Sequence, residues 1–134
     1  MGLSEEERKS VVDYRLKKAK EAFVEISILI ENKLWQIAAS RLYYACFYAA
    51  NALLIKDAHQ AHTHMGVKNF LSLYYVKENK IDKRLVKAYG ELFNMRLRSD
   101  YEDWVIIEES DIISHLKPAE EFIAEIERLI DNNS

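Results

Sequence analysis

Apolar residues recur every three or four positions along nearly the whole chain, the spacing of one face of an α-helix. Val12, Leu16, Ala19, Phe23, Ile26 and Ile30 form the first stripe and predict an amphipathic helix over roughly 5–31. The polar run Glu31-Asn32-Lys33 breaks it. From Leu34 to about Lys56 apolar side chains surround the helix on most sides, among them Trp35, Ala38, Leu42, Ala45, Cys46, Phe47, Ala49 and Leu53. A helix of that kind is central, covered by neighbours or a partner subunit. Asp57 to Thr63 reads as a loop. Thr63 can cap a third helix, about His64 to Lys77, with Val67, Phe70, Leu71 and Tyr74 inward. Glu78-Asn79-Lys80 turns the chain, and Asp82 can cap a fourth helix over about 83–98, carrying Leu85, Val86, Tyr89, Leu92 and Phe93. Ser99 to Ile107 has no helical period. A fifth helix opens near Ser110 and runs to about Asp131, and its stripe of Ile112, Leu116, Ala119, Ile123, Ile126 and Ile130 continues through Pro118, so one helix kinked at the proline is expected. The pattern predicts an all-α fold: an up-and-down bundle of four to five helices.

The 134 residues suit one domain, residues 1–134 with a core of about 5–131. Three Gly and one Pro leave few turn residues for a many-stranded sandwich or barrel. One Cys excludes an internal disulfide and a Cys-rich zinc site. With 22 acidic and 19 basic side chains the net charge is −3, so any contact with RNA has to be local. The acidic start, Met1-Gly2-Leu3-Ser4-Glu5-Glu6-Glu7, does not read as a signal peptide or a myristoylation site, and a cytoplasmic protein is expected. The stretch Leu34 to Ile55 is long enough to span a membrane. Spanning would strand Arg41 in hydrocarbon, however, and a buried central helix fits better, with no membrane partner.

Few residues are candidates for chemistry. Arg41 sits one turn from Ile37, Ala38, Tyr44 and Ala45, and must find either an ion-pair partner or an anion-facing cleft. Arg96 and Arg98 end the fourth helix, where cations offset the dipole. With Asp100 and Tyr101 they also form a guanidinium–carboxylate–phenol set able to grip a phosphate. His59, His62 and His64 could in principle hold a metal, but no Cys or carboxylate follows at ligand spacing. A solvated loop leading into the third helix is the plainer reading, with no metal site. His115 reads as a satisfied structural histidine. The aromatics Tyr43, Tyr44, Phe47, Tyr48, Tyr74 and Tyr75 serve core packing, base stacking or a subunit interface. No phosphate-cradling Gly loop and no nucleophile elbow occurs, and no cofactor is expected.

Three segments together resemble the HEPN-domain family of small prokaryotic proteins. Ala39-Ser40-Arg41-Leu42-Tyr43-Tyr44-Ala45-Cys46-Phe47-Tyr48-Ala49-Ala50 is similar to its second-helix signature. Thr63-His64-Met65-Gly66-Val67, followed by Phe70, resembles the start of its third helix. Arg96-Leu97-Arg98-Ser99-Asp100-Tyr101 resembles its Arg-x-x-x-Asp-Tyr segment. The resemblance spans about 20–130. It implies a helical bundle forming a homodimer, with the Arg-bearing segments facing a shared cleft. Many members are metal-independent endoribonucleases, and several are toxins paired with a small nucleotidyltransferase antitoxin. Active members carry an Arg, four to six residues, then His. Arg96 matches that Arg, but the His position falls on Tyr101, Glu102 or Asp103.

The expected function is a HEPN-type module binding a nucleotide or RNA phosphate, the partner of a nucleotidyltransferase. Arg96 and Arg41 would contact phosphate, Asp100 would orient them, and Tyr101 would donate a hydrogen bond, stack or accept AMP. Tyr44 and His64 complete the candidate ligand-binding set. The alternatives are an endoribonuclease toxin with Arg96 essential and Tyr101 or His64 moving protons, and a structural helical adaptor.

Overall fold

The computed structural model describes residues 2–61, 63–102 and 104–132. Its elements in order are α1 (Glu5–Glu31), α2 (Trp35–Lys56), α3 (His64–Leu71), a π-helical turn over Ser72–Val76 that continues α3, α4 (Lys83–Tyr101) and α5 (Glu109–Asn132). Among the described residues there is no strand, and the all-α bundle anticipated from the apolar stripes is the fold. No helix is long and apolar enough to cross a membrane among the described residues.

Local chemistry sets the helix ends. The Ser4 hydroxyl accepts from the Glu7 amide at 3.1 Å, and the Ser4 amide donates to the Glu7 carboxylate at 2.9 Å, a reciprocal cap on α1. These bonds hold the Glu7 carboxyl below its ordinary pKa. Lys33, Ala58 and Asn79 all take left-handed backbone, with φ of 57°, 61° and 57°. Each stands just past a helical segment and lets the following amide reach back five residues: Leu34 to the Leu29 carbonyl, His59 to Leu54, Lys80 to Tyr75. All three polar breaks read from the sequence close in this way. α1 and α2 then run antiparallel, tied where Arg8 donates to the Ile55 carbonyl at 2.6 Å and where Arg41 meets Glu25 at 2.9 Å.

α2 is the central helix, packed against α1, α4, α5 and α3. Its alanines 38, 39, 45, 49, 50 and 52 are fully buried with Leu42, Tyr43, Cys46 and Leu53. Small side chains let neighbouring backbones approach, and burial on several sides explains why this helix lacks a polar face. Ile112, Phe122 and Ile126 of α5 close the core from the other side. α5 continues through Pro118 as one helix.

Two boundaries differ from the sequence reading. α3 was expected to run on as one regular helix with Tyr74 inward; instead the turn at Ser72–Val76 is π-helical, Tyr74 is 40% exposed and Tyr75 is buried. A wider turn shifts the side-chain phase by about one position, so the inward place passes to Tyr75. Its hydroxyl donates to Asp57 Oδ2 at 2.5 Å. α4 was expected to stop near residue 98 but extends to Tyr101, with Glu102 as its cap. The pairs Arg96–Asp100 and Arg98–Glu102 support that last turn, and Gln36 of α2 donates to the Ser99 carbonyl at 3.1 Å.

Candidate functional site

Three elements converge on one group. Tyr43, Tyr44 and Phe47 lie midway along α2, and His64 is the first residue of α3. Tyr89, Phe93, Arg96 and Asp100 follow one another on α4 at spacings of four, three and four, which places them along one face. Thr63 caps α3 by accepting from the Gly66 amide at 2.9 Å, and this fixes where His64 enters.

Tyr43 is the hub. It is fully buried, its hydroxyl lies 2.5 Å from His64 Nδ1 and, at a longer 3.4 Å, from the Tyr89 hydroxyl. Burial pushes the Tyr43 phenol up to about 12, so it stays protonated near neutrality. Tyr89, also buried, is pushed up in the same direction and for the same reason. The His64 ring packs against Phe47 at 4.6 Å between ring centres and stacks on Phe93 at 5.9 Å. Desolvation first, and the Arg96 charge second, hold His64 below the ordinary imidazole range, so the ring is neutral at pH 7.

Arg96 lies over this aromatic bed. Its guanidinium carbon is 5.0 Å from the Tyr44 ring centre and 5.7 Å from that of Tyr43, an arrangement in which both rings attract the cation. Asp100 Oδ2 is 3.3 Å from Nε. The contact is ionic but off the N–H axis, since Nε is buried and makes no hydrogen bond. The terminal guanidinium nitrogens likewise make no hydrogen bond to a described residue. Arg96 is thus a planar cation, held in place by rings and a neighbouring carboxylate, and among the described residues nothing takes up its paired donors. Two parallel donors on a fixed plane suit a phosphate.

The remaining candidates are placed as follows. Tyr44 is half-buried beneath Arg96. Tyr101, on the last turn of α4, is 77% exposed. Arg41 is engaged with Glu25 of α1, so the structure gives it the ion-pair role. Arg98 makes a loose 4.0 Å contact with Glu102 at the exposed helix end. Of the three clustered histidines, His59 stacks on Tyr74 at 4.4 Å, more engaged than a solvated loop residue, and His62 lies outside the described residues. His115 is satisfied as expected, its Nδ1 2.7 Å from the Asp111 carbonyl.

The sequence leaves Tyr43 and Phe47 open between core packing, base stacking and a subunit interface, and places Tyr89 and Phe93 on the apolar stripe of the fourth helix. The four-three-four spacing of Tyr89, Phe93, Arg96 and Asp100 is the signal that could have joined them, since a helix puts all four on one side.

An all-α bundle carrying an Arg, a His and paired tyrosines at the junction of its second, third and fourth helices defines a recognisable class. The HEPN domain family model matches residues 12–129, and the chain belongs to that family. A protein of Thermotoga maritima named UPF0332 protein is 32% identical over 126 residues, covering 94% of this chain and 96% of that one. A Methanocaldococcus jannaschii protein named "Putative toxin MJ0605" is 36% identical over 83 residues, 62% of each chain. A second protein of that organism, "Putative toxin MJ0142", is 28% identical over 102 residues, 75% of this chain and 69% of its own.

Proposed function

We propose that the protein is a HEPN module that binds the phosphate of a nucleotide or RNA and works as the toxin-side partner of a separately encoded nucleotidyltransferase. The observation that carries this reading is the state of Arg96: rings hold its plane, and its terminal donors bond to none of the described residues. Tyr44 supplies the stacking floor, Asp100 steadies the guanidinium, and His64 stands beside it. Arg41, one turn from Tyr44, would reach a phosphate only by exchanging its Glu25 partner for it. Tyr101 is the acceptor for AMP from the partner, and its 77% exposure leaves the phenol accessible. The toxin names of two relatives support the toxin side of this reading.

A homodimer is part of this reading. Leu34, Ile37 and Ile106 are 44%, 52% and 80% exposed, and they line one shallow surface with Val105 and Ile107. Exposed apolar surface of this kind marks a contact with another protein.

The second reading is a metal-independent endoribonuclease. One observation favours it: His64 lies beside Arg96 in space, although no His follows Arg96 at the family's spacing. Arg96 would stabilise charge on phosphorus and His64 would take part in proton transfer.

The deciding experiment combines RNA cleavage in EDTA with binding of labelled RNA and ADP, on the wild type and Arg96→Ala. Binding without cleavage, lost in the variant, supports the module. Cleavage lost in the variant supports the nuclease. Neither binding nor cleavage overturns both and leaves a structural adaptor. Tyrosine modification is checked by intact mass after incubation with an active partner and ATP; no added mass overturns the role given to Tyr101.

A further inference from the structure

Tyr89, Tyr43 and His64 make two contacts in series, Tyr89 Oη to Tyr43 Oη at 3.4 Å and Tyr43 Oη to His64 Nδ1 at 2.5 Å. Each contact seats one hydrogen. Tyr43 is 0% exposed and Tyr89 is 1% exposed, so neither hydroxyl can turn to water. Both phenols are protonated and bring two hydrogens. If His64 Nδ1 also carried a hydrogen, three would compete for two contacts, and one buried phenol hydrogen would have no acceptor. An unsatisfied buried donor is costly enough to favour the fully seated arrangement roughly tenfold or more. That arrangement has one direction: Tyr89 donates to Tyr43, and Tyr43 donates to Nδ1. The neutral ring then carries its hydrogen on Nε2.

We infer that the Tyr89–Tyr43 hydroxyl chain holds His64 as the Nε2–H tautomer, so that the imidazole presents a hydrogen-bond donor beside Arg96, to a phosphate oxygen, rather than a lone pair. The phosphate ligand rests on the function proposed above; the tautomer rests on the hydroxyl geometry alone. Nε2 has no hydrogen-bond partner among the described residues, and the ring is only half-buried. The charged group facing the ring is Arg96 of α4; Tyr43, Tyr44 and Phe47 of α2 and Phe93 of α4 supply its other walls. A donor at Nε2 and the open fork of Arg96 together make a two-armed receptor for an anion, with no base at rest to deprotonate a ribose hydroxyl. Tyr43 and Tyr89 are positioning residues: they act on a ligand only through His64.

The test is long-range ¹⁵N–¹H correlation NMR of the full chain labelled at the histidine ring nitrogens, above the pH at which imidazole protonates. The expected His64 spectrum shows a protonated Nε2 and an unprotonated Nδ1. A protonated Nδ1, or an even mixture, overturns the inference. Tyr89→Phe leaves Nδ1 as the one acceptor for the Tyr43 hydrogen and is expected to keep the Nε2–H form, whereas Tyr43→Phe removes the donor to Nδ1 without touching the ring and is expected to admit the Nδ1–H form. An unchanged spectrum in Tyr43→Phe overturns the role of the hydroxyl chain. The second arm titrates inorganic phosphate. His64→Ala is expected to weaken binding about tenfold, and His64→Gln, which places an amide donor near Nε2, to recover most of it. Equal loss in both variants overturns the donor role. Failure of the wild type to bind phosphate or ADP overturns the function reading and the ligand assigned here, while the tautomer is decided independently by the spectrum.

Discussion

At the scale of single residues the proposed site rests on one cation and one neutral ring. Arg96→Ala removes both donors and the ring contact, and a charge-assisted bidentate contact contributes about 1.5–3 kcal/mol. Binding of ADP or RNA, followed by fluorescence anisotropy, should fall at least tenfold while the thermal midpoint moves little. Arg96→Lys should not restore it, because an ammonium lacks the fork and the plane that lies on Tyr44. His64 yields a pH prediction whose sign follows from its depressed pKa. The unfolded chain binds a proton at higher pH than the folded one, so the contribution to stability is complete above the ordinary imidazole value of about 6.5 and is lost as pH falls below it toward the folded value. Denaturant titrations across that window should show the wild type losing stability as pH falls, and His64→Gln losing less. Arg96, Asp100 and Tyr101 were legible as a group from their crowding in the sequence. The part of Tyr43 was not, because a buried tyrosine looks like packing until its hydroxyl is seen to face another polar atom.

At the scale of elements, helix ends and helix faces decide. Ala58 adopts φ 61° to let α2 stop. A β-carbon is disfavoured there and glycine is not, so Ala58→Gly should stabilise the protein by about 0.5–1 kcal/mol, raising the thermal midpoint by a few degrees in calorimetry. α2 sends the opposite signal. Its alanines lie buried where α2 packs on its neighbours, and Ala49 is fully buried. Ala49→Leu should overpack the core and cost about 1–3 kcal/mol, read from chemical denaturation. The stripe spacing identified all five helices, because each buries an apolar face. It misplaced the end of α4, where support comes from ion pairs and a bond from Gln36 rather than from apolar residues. It also missed the π turn after α3, since a single wide turn leaves no periodic trace and shows only in the exchange of Tyr74 for Tyr75 at the core.

At the scale of the whole molecule, the exposed apolar surface around Leu34, Ile37 and Ile106 bears on assembly. Ile37→Asp with Ile106→Asp should convert a dimer to a monomer in sedimentation equilibrium, with helix content unchanged by circular dichroism. A monomeric wild type, or a dimer indifferent to both substitutions, would remove this face from the dimer reading.

The amino-acid order alone determined the class of the fold and singled out the cation of the proposed site. Helices bury one face, and burial writes its period into the sequence; a guanidinium, a carboxylate and a phenol crowded within six residues are visible without coordinates. The company those residues keep was decided only in three dimensions. His64 and Arg96 are 32 positions apart in the chain, and nothing local links them. They meet because α2 places Tyr43 between α3 and α4, and a contact between separate helices depends on how their faces pack. Packing likewise gave Arg41 its partner in Glu25 and left Tyr101 in solvent. Both residues sit at ordinary helix positions, so the sequence held their chemistry while the neighbouring elements settled its use.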